Sequence, residues 1–166
     1  MLRVGIGWDQ HRMAPGRPLV LGGERFEHPS GLEGHSDADV LTHAVCDAVL
    51  GALGLGDLGR RFPDRDERYR GADSLALLAE IAAEMHGRGF RVGNLDTVLV
   101  AQEPRLGRRL HAMRANLARV LGCAEDRVNV KAASPEGLGS LGRREGMAAH
   151  AVVLLEAGAG PAGAAA

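Results

Sequence analysis

At 166 residues the chain has single-domain length, and a domain of about 150 residues buries roughly 68–70% of its unfolded surface, enough for one core. Twenty basic residues against 21 acidic ones, a net charge of -1 and only 3% aromatics leave neither a basic surface that tracks phosphates nor a platform that stacks bases, which argues against nucleic acid as a partner. Two cysteines, Cys46 and Cys123, without C-x-x-C spacing read as buried or free thiols of a reducing compartment. MLRVGIGWD lacks an apolar leader core, and no stretch approaches the ~18 apolar residues of a membrane span, so a soluble cytoplasmic protein with no membrane partner is expected.

Residues 2–11, LRVGIGWDQH, alternate with period two: Val4, Ile6 and Trp8 on one side, Gly5, Gly7, Asp9 and His11 on the other. This predicts a first strand whose C-terminal end projects Asp9 and His11 from one face. Residues 12–34 carry Pro15, Pro18 and Pro29 around the apolar run Leu19 to Leu21, which predicts a loop with a small hairpin. In residues 34–43, GHSDADVLTH, Ser36 as N-cap with Asp39 at N3 opens a helix over about residues 37–53, marked by Val40, Leu41, Ala44, Val45, Ala48 and Val49. Asp39, His43 and Asp47 then share one helix face, and His35 lies just before the N-terminus, where free N–H groups favour an anion. A metal ligand beside a phosphate seat is one reading; a satisfied helix histidine and a plain cap is the other, until His43 finds a partner.

Residues 54–71, GLGDLGRRFPDRDERYRG, lack both periodicities. A structureless loop of that length is usually functional or disordered, so Asp57, Gly59, Phe62, Asp64 and Asp66 belong to a binding loop or to a solvated charge run. Asp73 or Ser74 caps a second helix that buries Leu77, Leu78, Ile81 and Met85 and ends at Gly87 and Gly89. A strand over residues 91–102 precedes Pro104 and a third helix with Leu110, Met113, Leu117 and Leu121 inside; its arginines 108, 109, 114 and 119 read as a solvated face. Residues 127–133 form a third strand running into the turn Ser134-Pro135-Glu136-Gly137, and residues 146–155 a fourth. Residues 157–166 have nothing to bury and are expected to be disordered, leaving one domain over residues 1–156. The order predicts an α/β (α+β) fold, a mixed four-stranded sheet of ferredoxin-like-related topology with helices on one side. Three helices do not easily cover both faces, so the other face needs a partner.

Asp9, His11 and His43 form a carboxylate and two imidazoles from a strand end and a helix, the ligand set of a catalytic zinc site with one position open. Together with GHSDADVLTH, GADS, AQEPRL, VNVKA and GRREG, in register over about residues 3–156, they make the sequence resemble the 2-C-methyl-D-erythritol 2,4-cyclodiphosphate synthase family of non-mevalonate isoprenoid biosynthesis. The resemblance implies a homotrimer with sites between subunits. It also implies conversion of 4-diphosphocytidyl-2-C-methyl-D-erythritol 2-phosphate to the cyclic diphosphate with release of cytidine monophosphate. Nucleophile and electrophile would both be phosphates of one substrate, so the protein supplies positioning and charge neutralisation, in keeping with the lack of a nucleophilic triad.

By the same resemblance, zinc or another divalent cation sits on Asp9, His11 and His43, with Asp9 and His11 also at the substrate. His35 and Ser36 meet phosphate or erythritol, His35 as a catalytic residue. Asp57, Leu58 and Gly59 meet the methylerythritol hydroxyls beneath a loop of Phe62, Pro63, Asp64, Arg65 and Asp66. Ala101, Gln102, Glu103, Pro104, Arg105, Leu106 and Gly107 form the cytosine pocket, largely through backbone. Ala133, Ser134 and Pro135 line the diphosphate, with Ser134 catalytic; Glu136 helps hold magnesium or manganese there, and Ser140 and Arg143 lie nearby. Where the family often has a run of threonines, this chain has Ala133-Ser134-Pro135; Gly137 replaces a common lysine and Ser140 an occasional aromatic. In some bacteria the domain is fused to a cytidylyltransferase, and at this length it is expected to stand alone. A zinc phosphohydrolase that activates water, or a trimeric zinc-stabilised scaffold, are the competing readings. The product distinguishes the first and cytidine nucleotide binding the second.

Overall fold

The computed structural model describes residues 1–158. Strand β1 (Leu2–Pro15) pairs antiparallel with the last strand along almost its whole length, from Leu2 opposite Glu156 to Arg12 opposite Gly146. Numbered in chain order, the others are β2 (Leu19–Leu21), β3 (Glu24–Phe26), β4 (Ser30–Leu32), β5 (Phe90–Val100), β6 (Val128–Ala133) and β7 (Gly146–Ala157). The helices are α1 (Val40–Leu53), α2 (Leu58–Arg61), α3 (Ser74–Gly87), α4 (Leu110–Leu121) and α5 (Gly139–Gly142). The main sheet has the order β4-β1-β7-β5-β6, with β5 and β6 parallel across the α4 crossover and the other pairs antiparallel; β2 and β3 form a separate hairpin. The mixed sheet is as expected, with a fifth strand beyond the four predicted. That strand, β4, is three residues long, too short to show alternation.

The core lies between α1, α3 and α4 and one sheet face, where Leu95, Leu99, Ala151, Val153 and Leu155 are fully buried. On β1 the residues facing the helices are Gly5 and Gly7, while the apolar set Val4, Ile6 and Trp8 stands 68%, 71% and 52% exposed. The period was legible; which side is inside was decided by close packing. A Cβ on Gly5 would stand 1.9 Å from the Ala48 carbonyl oxygen, and one on Gly7 1.9 Å from that of Ala44, so α1 lies with its backbone directly on the strand. Gly7→Ala is therefore expected to destabilise by about 3 kcal/mol, the upper part of the overpacking range, read as a lowered urea unfolding midpoint. Gly51→Ala on the outer side of α1, whose nearest neighbour is 3.8 Å away, should instead stabilise by about 0.5–1 kcal/mol.

Helix α1 starts at Val40, three residues later than predicted, and Asp39 rather than Ser36 is its N-cap. Ala38 takes a left-handed φ of 58°, which stops the helix from reaching back to residue 37. The Asp39 carboxylate is fully buried and accepts four bonds: Thr42 N–H at 3.0 Å, Thr42 Oγ1–H at 2.8 Å, and the N–H groups of Gly22 at 2.8 Å and Gly23 at 2.7 Å in the β2–β3 turn. Burial pushes this carboxyl upward, opposed by the Thr42, Gly23 and Gly22 donors. Residues 54–71 are not structureless: α2 and a 3-10 turn at Glu67–Tyr69 occupy them, and Phe62, 5% exposed, packs edge-on to Tyr69 with ring centroids 5.1 Å apart. Before α4 the chain makes a 3-10 turn at Gly107–Arg109. Ala157, assigned to the tail, belongs to β7 opposite Phe90, and Gly158 N–H donates to the Gly89 carbonyl at 2.7 Å. The rest of the expected disordered tail lies outside the described residues. Cys46 is buried and Cys123 half-buried, both free. Among the described residues no helix is long and apolar enough to cross a membrane.

Candidate metal centre and the two clefts

Asp9 and His11 leave β1 on the helix side, and the Gly5–Gly7 contact brings the first turn of α1, with His43, against them. Asp9 Oδ2 lies 2.9 Å from His11 Nε2 and 3.1 Å from His43 Nδ1, and the two nitrogens are 3.1 Å apart. It is the one such group of possible metal ligands among the described residues. Burial alone would raise the Asp9 carboxyl, but the hydrogen bonds and charges of His11 and His43 outweigh it and hold Asp9 well below the usual carboxylate range. Burial pulls His11 down, and Asp9 more than reverses that, leaving it above its ordinary value.

The donor set fits a divalent cation. His11 Nδ1 lies 2.7 Å from the Glu33 carbonyl oxygen, which only accepts, so Nδ1 carries the proton and Nε2 turns its lone pair inward. Separations of 2.9–3.1 Å come close to the roughly 3.3 Å between ligands at 2.0–2.1 Å on one tetrahedral ion.

The triad opens into a cleft of about 240 Å³. His35, Ser36, Leu58, Gly59, Phe62 and Asp64 of the expected site line it, joined by Asp47, Tyr69 and Leu77, which the sequence reading did not assign to the site. His35 Nε2–H donates to the Asp66 carbonyl at 3.1 Å, tying the 62–66 loop to the segment before α1. Asp57 does not line the cleft: its carboxylate caps α2 through Arg60 N–H at 2.9 Å and pairs with the Arg60 side chain at 3.3 Å. Pro63, Arg65 and Asp66 are likewise off its wall, the Asp66 carboxylate being engaged by Arg68. The expected anion seat at the start of α1 is filled by the buried Asp39 carboxylate, so any phosphate contact here falls to His35 and Ser36.

A second cleft, about 880 Å³, is walled by Ala101, Gln102, Pro104, Arg105, Leu106 and Gly107 on one side and Ala133 and Ser134 on the other. Gln102 Oε1 accepts from Gly137 N–H at 3.0 Å and so joins this loop to the turn after β6. Glu103 points away, within 3.4 Å of Arg144 and 3.7 Å of His28. Ser134 Oγ accepts from Glu136 N–H at 3.0 Å; Glu136 itself has φ 54° and is exposed. Arg143 pairs with Glu145 at 2.6 Å, and Ser140 lies half-buried on α5. Within one chain, none of residues 101–107, 133–136, 140 and 143 lines the triad's cleft.

Two residues at the triad were not among the expected site residues: Asp37, placed at the start of the first helix, and Ser74, placed as a possible cap of the second. Ser74 Oγ is 2.9 Å from His43 Nε2, Ser36 Oγ is 3.1 Å from the same atom, and Asp37 accepts from both the hydroxyl and the N–H of Ser74. In the sequence they appear only within two separate motifs, GHSDAD at residues 34–39 and GADS at residues 71–74.

The YgbB family matches residues 2–156. The bifunctional enzyme IspD/IspF of Anaeromyxobacter dehalogenans is 59% identical over 157 residues; the match covers 95% of this chain and 40% of that one, so the chain spans about two-fifths of such bifunctional relatives. The 2-C-methyl-D-erythritol 2,4-cyclodiphosphate synthase of Thermosynechococcus vestitus is 55% identical, with 95% of this chain and 98% of the relative covered. Among solved structures, bifunctional IspDF from Campylobacter jejuni superposes with a TM-score of 0.89 at 42% identity, covering 93% of this chain and 42% of that one. The Plasmodium falciparum IspF complex with CDP gives 0.83 at 28% identity, covering 95% and 97%. With the family matched from residue 2 to residue 156 and a relative 55% identical over nearly its full length, the chain belongs to the YgbB family of 2-C-methyl-D-erythritol 2,4-cyclodiphosphate synthases.

Proposed function

We propose that residues 1–156 form one catalytic domain that converts 4-diphosphocytidyl-2-C-methyl-D-erythritol 2-phosphate to 2-C-methyl-D-erythritol 2,4-cyclodiphosphate and cytidine monophosphate. Family membership makes the chain a lyase of isoprenoid biosynthesis. The observation that carries the reading is the convergence of Asp9, His11 and His43 beside a small cleft of mixed polarity. A divalent cation there, zinc in the first instance, neutralises phosphate charge and acts as Lewis acid. The protein's share is to hold the 2-phosphate oxygen in line with the β-phosphorus while the bond to the α-phosphate oxygen breaks.

His35 and Ser36 contact phosphate or erythritol from the segment before α1, and Leu58 and Gly59 lie under the sugar. Asp57 joins them only if its contact with Arg60 opens. The 101–107 loop receives cytosine, in line with the CDP named for the P. falciparum relative. Ser134 donates to the diphosphate, Glu136 helps hold magnesium or manganese, and Arg143 adds charge nearby. Because these two groups line separate clefts in one chain, a complete site joins the triad of one subunit to residues 101–107 and 134–136 of another. The exposed apolar face of Val4, Ile6, Trp8 and Val152 supports the homotrimer this requires. The cytoplasm is its proposed location.

The test is the product. Phosphorus NMR should show the cyclic diphosphate with no oxygen from labelled water; an opened, labelled phosphate would establish hydrolysis instead. Mixing His43→Ala with Glu136→Ala protein should restore up to about a quarter of activity, as statistical subunit exchange leaves some intact sites. No recovery after verified exchange would refute a shared site.

A further inference from the structure

We infer that Asp37, acting through Ser74, is the positioning residue that fixes the tautomer of His43 and thereby leaves the Ser36 hydroxyl as a donor toward the cleft. The inference rests on the proposed metal centre and concerns how its least exposed ligand is oriented.

Asp37 lies in the segment before α1, held by its own N–H bond to the Ala72 carbonyl at 3.0 Å. Its carboxylate receives Ser74 N–H at 3.1 Å on Oδ2, and on Oδ1 Asp39 N–H at 3.1 Å together with the Ser74 hydroxyl. A carboxylate only accepts, so the single hydroxyl hydrogen of Ser74 points at Asp37. Toward His43 Nε2, 2.9 Å away, Ser74 Oγ can then only accept, and Nε2 must carry the imidazole proton. The neutral ring has one such proton, so Nδ1 is left as a lone pair on the side of Asp9 Oδ2 and His11 Nε2, where these three residues would hold a cation. Glu33 imposes the matching state on His11 from the other side. Ser74 is fully buried, so water does not compete for this arrangement.

The direction of the protons runs one step further. Ser36 Oγ receives Ala38 N–H at 3.2 Å and lies 3.1 Å from the same His43 N–H. Both neighbours are donors, which leaves the Ser36 hydrogen free to donate into the cleft that Ser36 lines. An ordering that begins at Asp37 thus sets both the ligand lone pair and the polarity of a group beside the anionic substrate.

Histidine-selective nitrogen-15 NMR of the zinc-loaded full chain reads the bond directly: the His43 Nε2 proton should be visible and slow to exchange. In Asp37→Ala the Ser74 hydroxyl loses its acceptor, its hydrogen is free to swing to His43 Nε2, and the ring proton then competes with the cation for Nδ1. Zinc affinity, measured by competition with a chromophoric chelator, should fall 10–100-fold in Asp37→Ala and in Ser74→Ala. A purely structural role would lower the unfolding midpoint and leave the Nε2 proton and zinc affinity alone. A freely exchanging His43 Nε2 proton in the unmodified zinc-loaded protein, or zinc affinity in Asp37→Ala within about twofold of it, overturns the inference even if the variant melts early. Failure of the unmodified protein to bind zinc at all overturns the metal reading, and this inference with it.

Discussion

His43→Ala is expected to lower zinc content from about one ion per chain to near zero and turnover by about 10³-fold or more, because three protein ligands are the fewest that catalytic zinc sites use. The substitution takes one of three converging ligand atoms and leaves Asp9 and His11, 2.9 Å apart, with nothing opposite them. It also leaves the Ser36 and Ser74 hydroxyls facing a cavity, at a cost of about 1–3 kcal/mol for lost hydrogen bonding in a buried place. A loss of stability therefore accompanies the loss of the ligand. Metal analysis at a temperature well below the variant's unfolding midpoint separates the two: a folded protein without zinc is the expected result. Full zinc occupancy in folded His43→Ala would refute the triad as the metal centre.

Ser134→Ala is expected to reduce turnover by about 10²- to 10³-fold, the effect of removing one hydrogen-bond donor from developing charge. Strand β6 ends at Ala133, so Ser134 leaves the sheet at its C-terminal edge, and Pro135 keeps its backbone extended. Its oxygen already receives Glu136 N–H at 3.0 Å, which leaves the hydroxyl hydrogen free for a ligand in the cleft it lines. Ala133 offers no neighbouring hydroxyl in its place. A donor acting on the transition state lowers kcat with KM and cytidine monophosphate affinity within about twofold, whereas a pure binding contact raises KM. Ser134 shares its cleft with the 101–107 loop, so that affinity is a necessary control. Ser134→Thr should restore turnover and Ser134→Val should not. Near-normal turnover in Ser134→Ala, with zinc retained, would reduce Ser134 to a turn residue.

What the sequence determined by itself was local in origin. Period-two alternation placed Asp9 and His11 on one side of β1, because successive strand side chains must point to opposite faces. Helical spacing carried His43 on α1, and three amphipathic helices, too few to cover both faces of a sheet, announced the uncovered side. Tertiary structure decided what depends on partners distant in the chain. The start of α1 moved to Val40 because Asp39 is held by Gly22 and Gly23, 17 and 16 residues upstream, with Ala38 turned into the left-handed region. Strand β4 exists only because residues 13–15 offer it an edge. The glycines of β1 face inward because α1 lies on their backbone. The proton order at His43 needs Asp37 and Ser74, 37 residues apart, to meet at the N-terminus of a second helix. Propensity and periodicity carry information over a few residues. A hydrogen bond between segments far apart in sequence leaves no periodic trace, and it was such bonds that turned two histidines and an aspartate into a site.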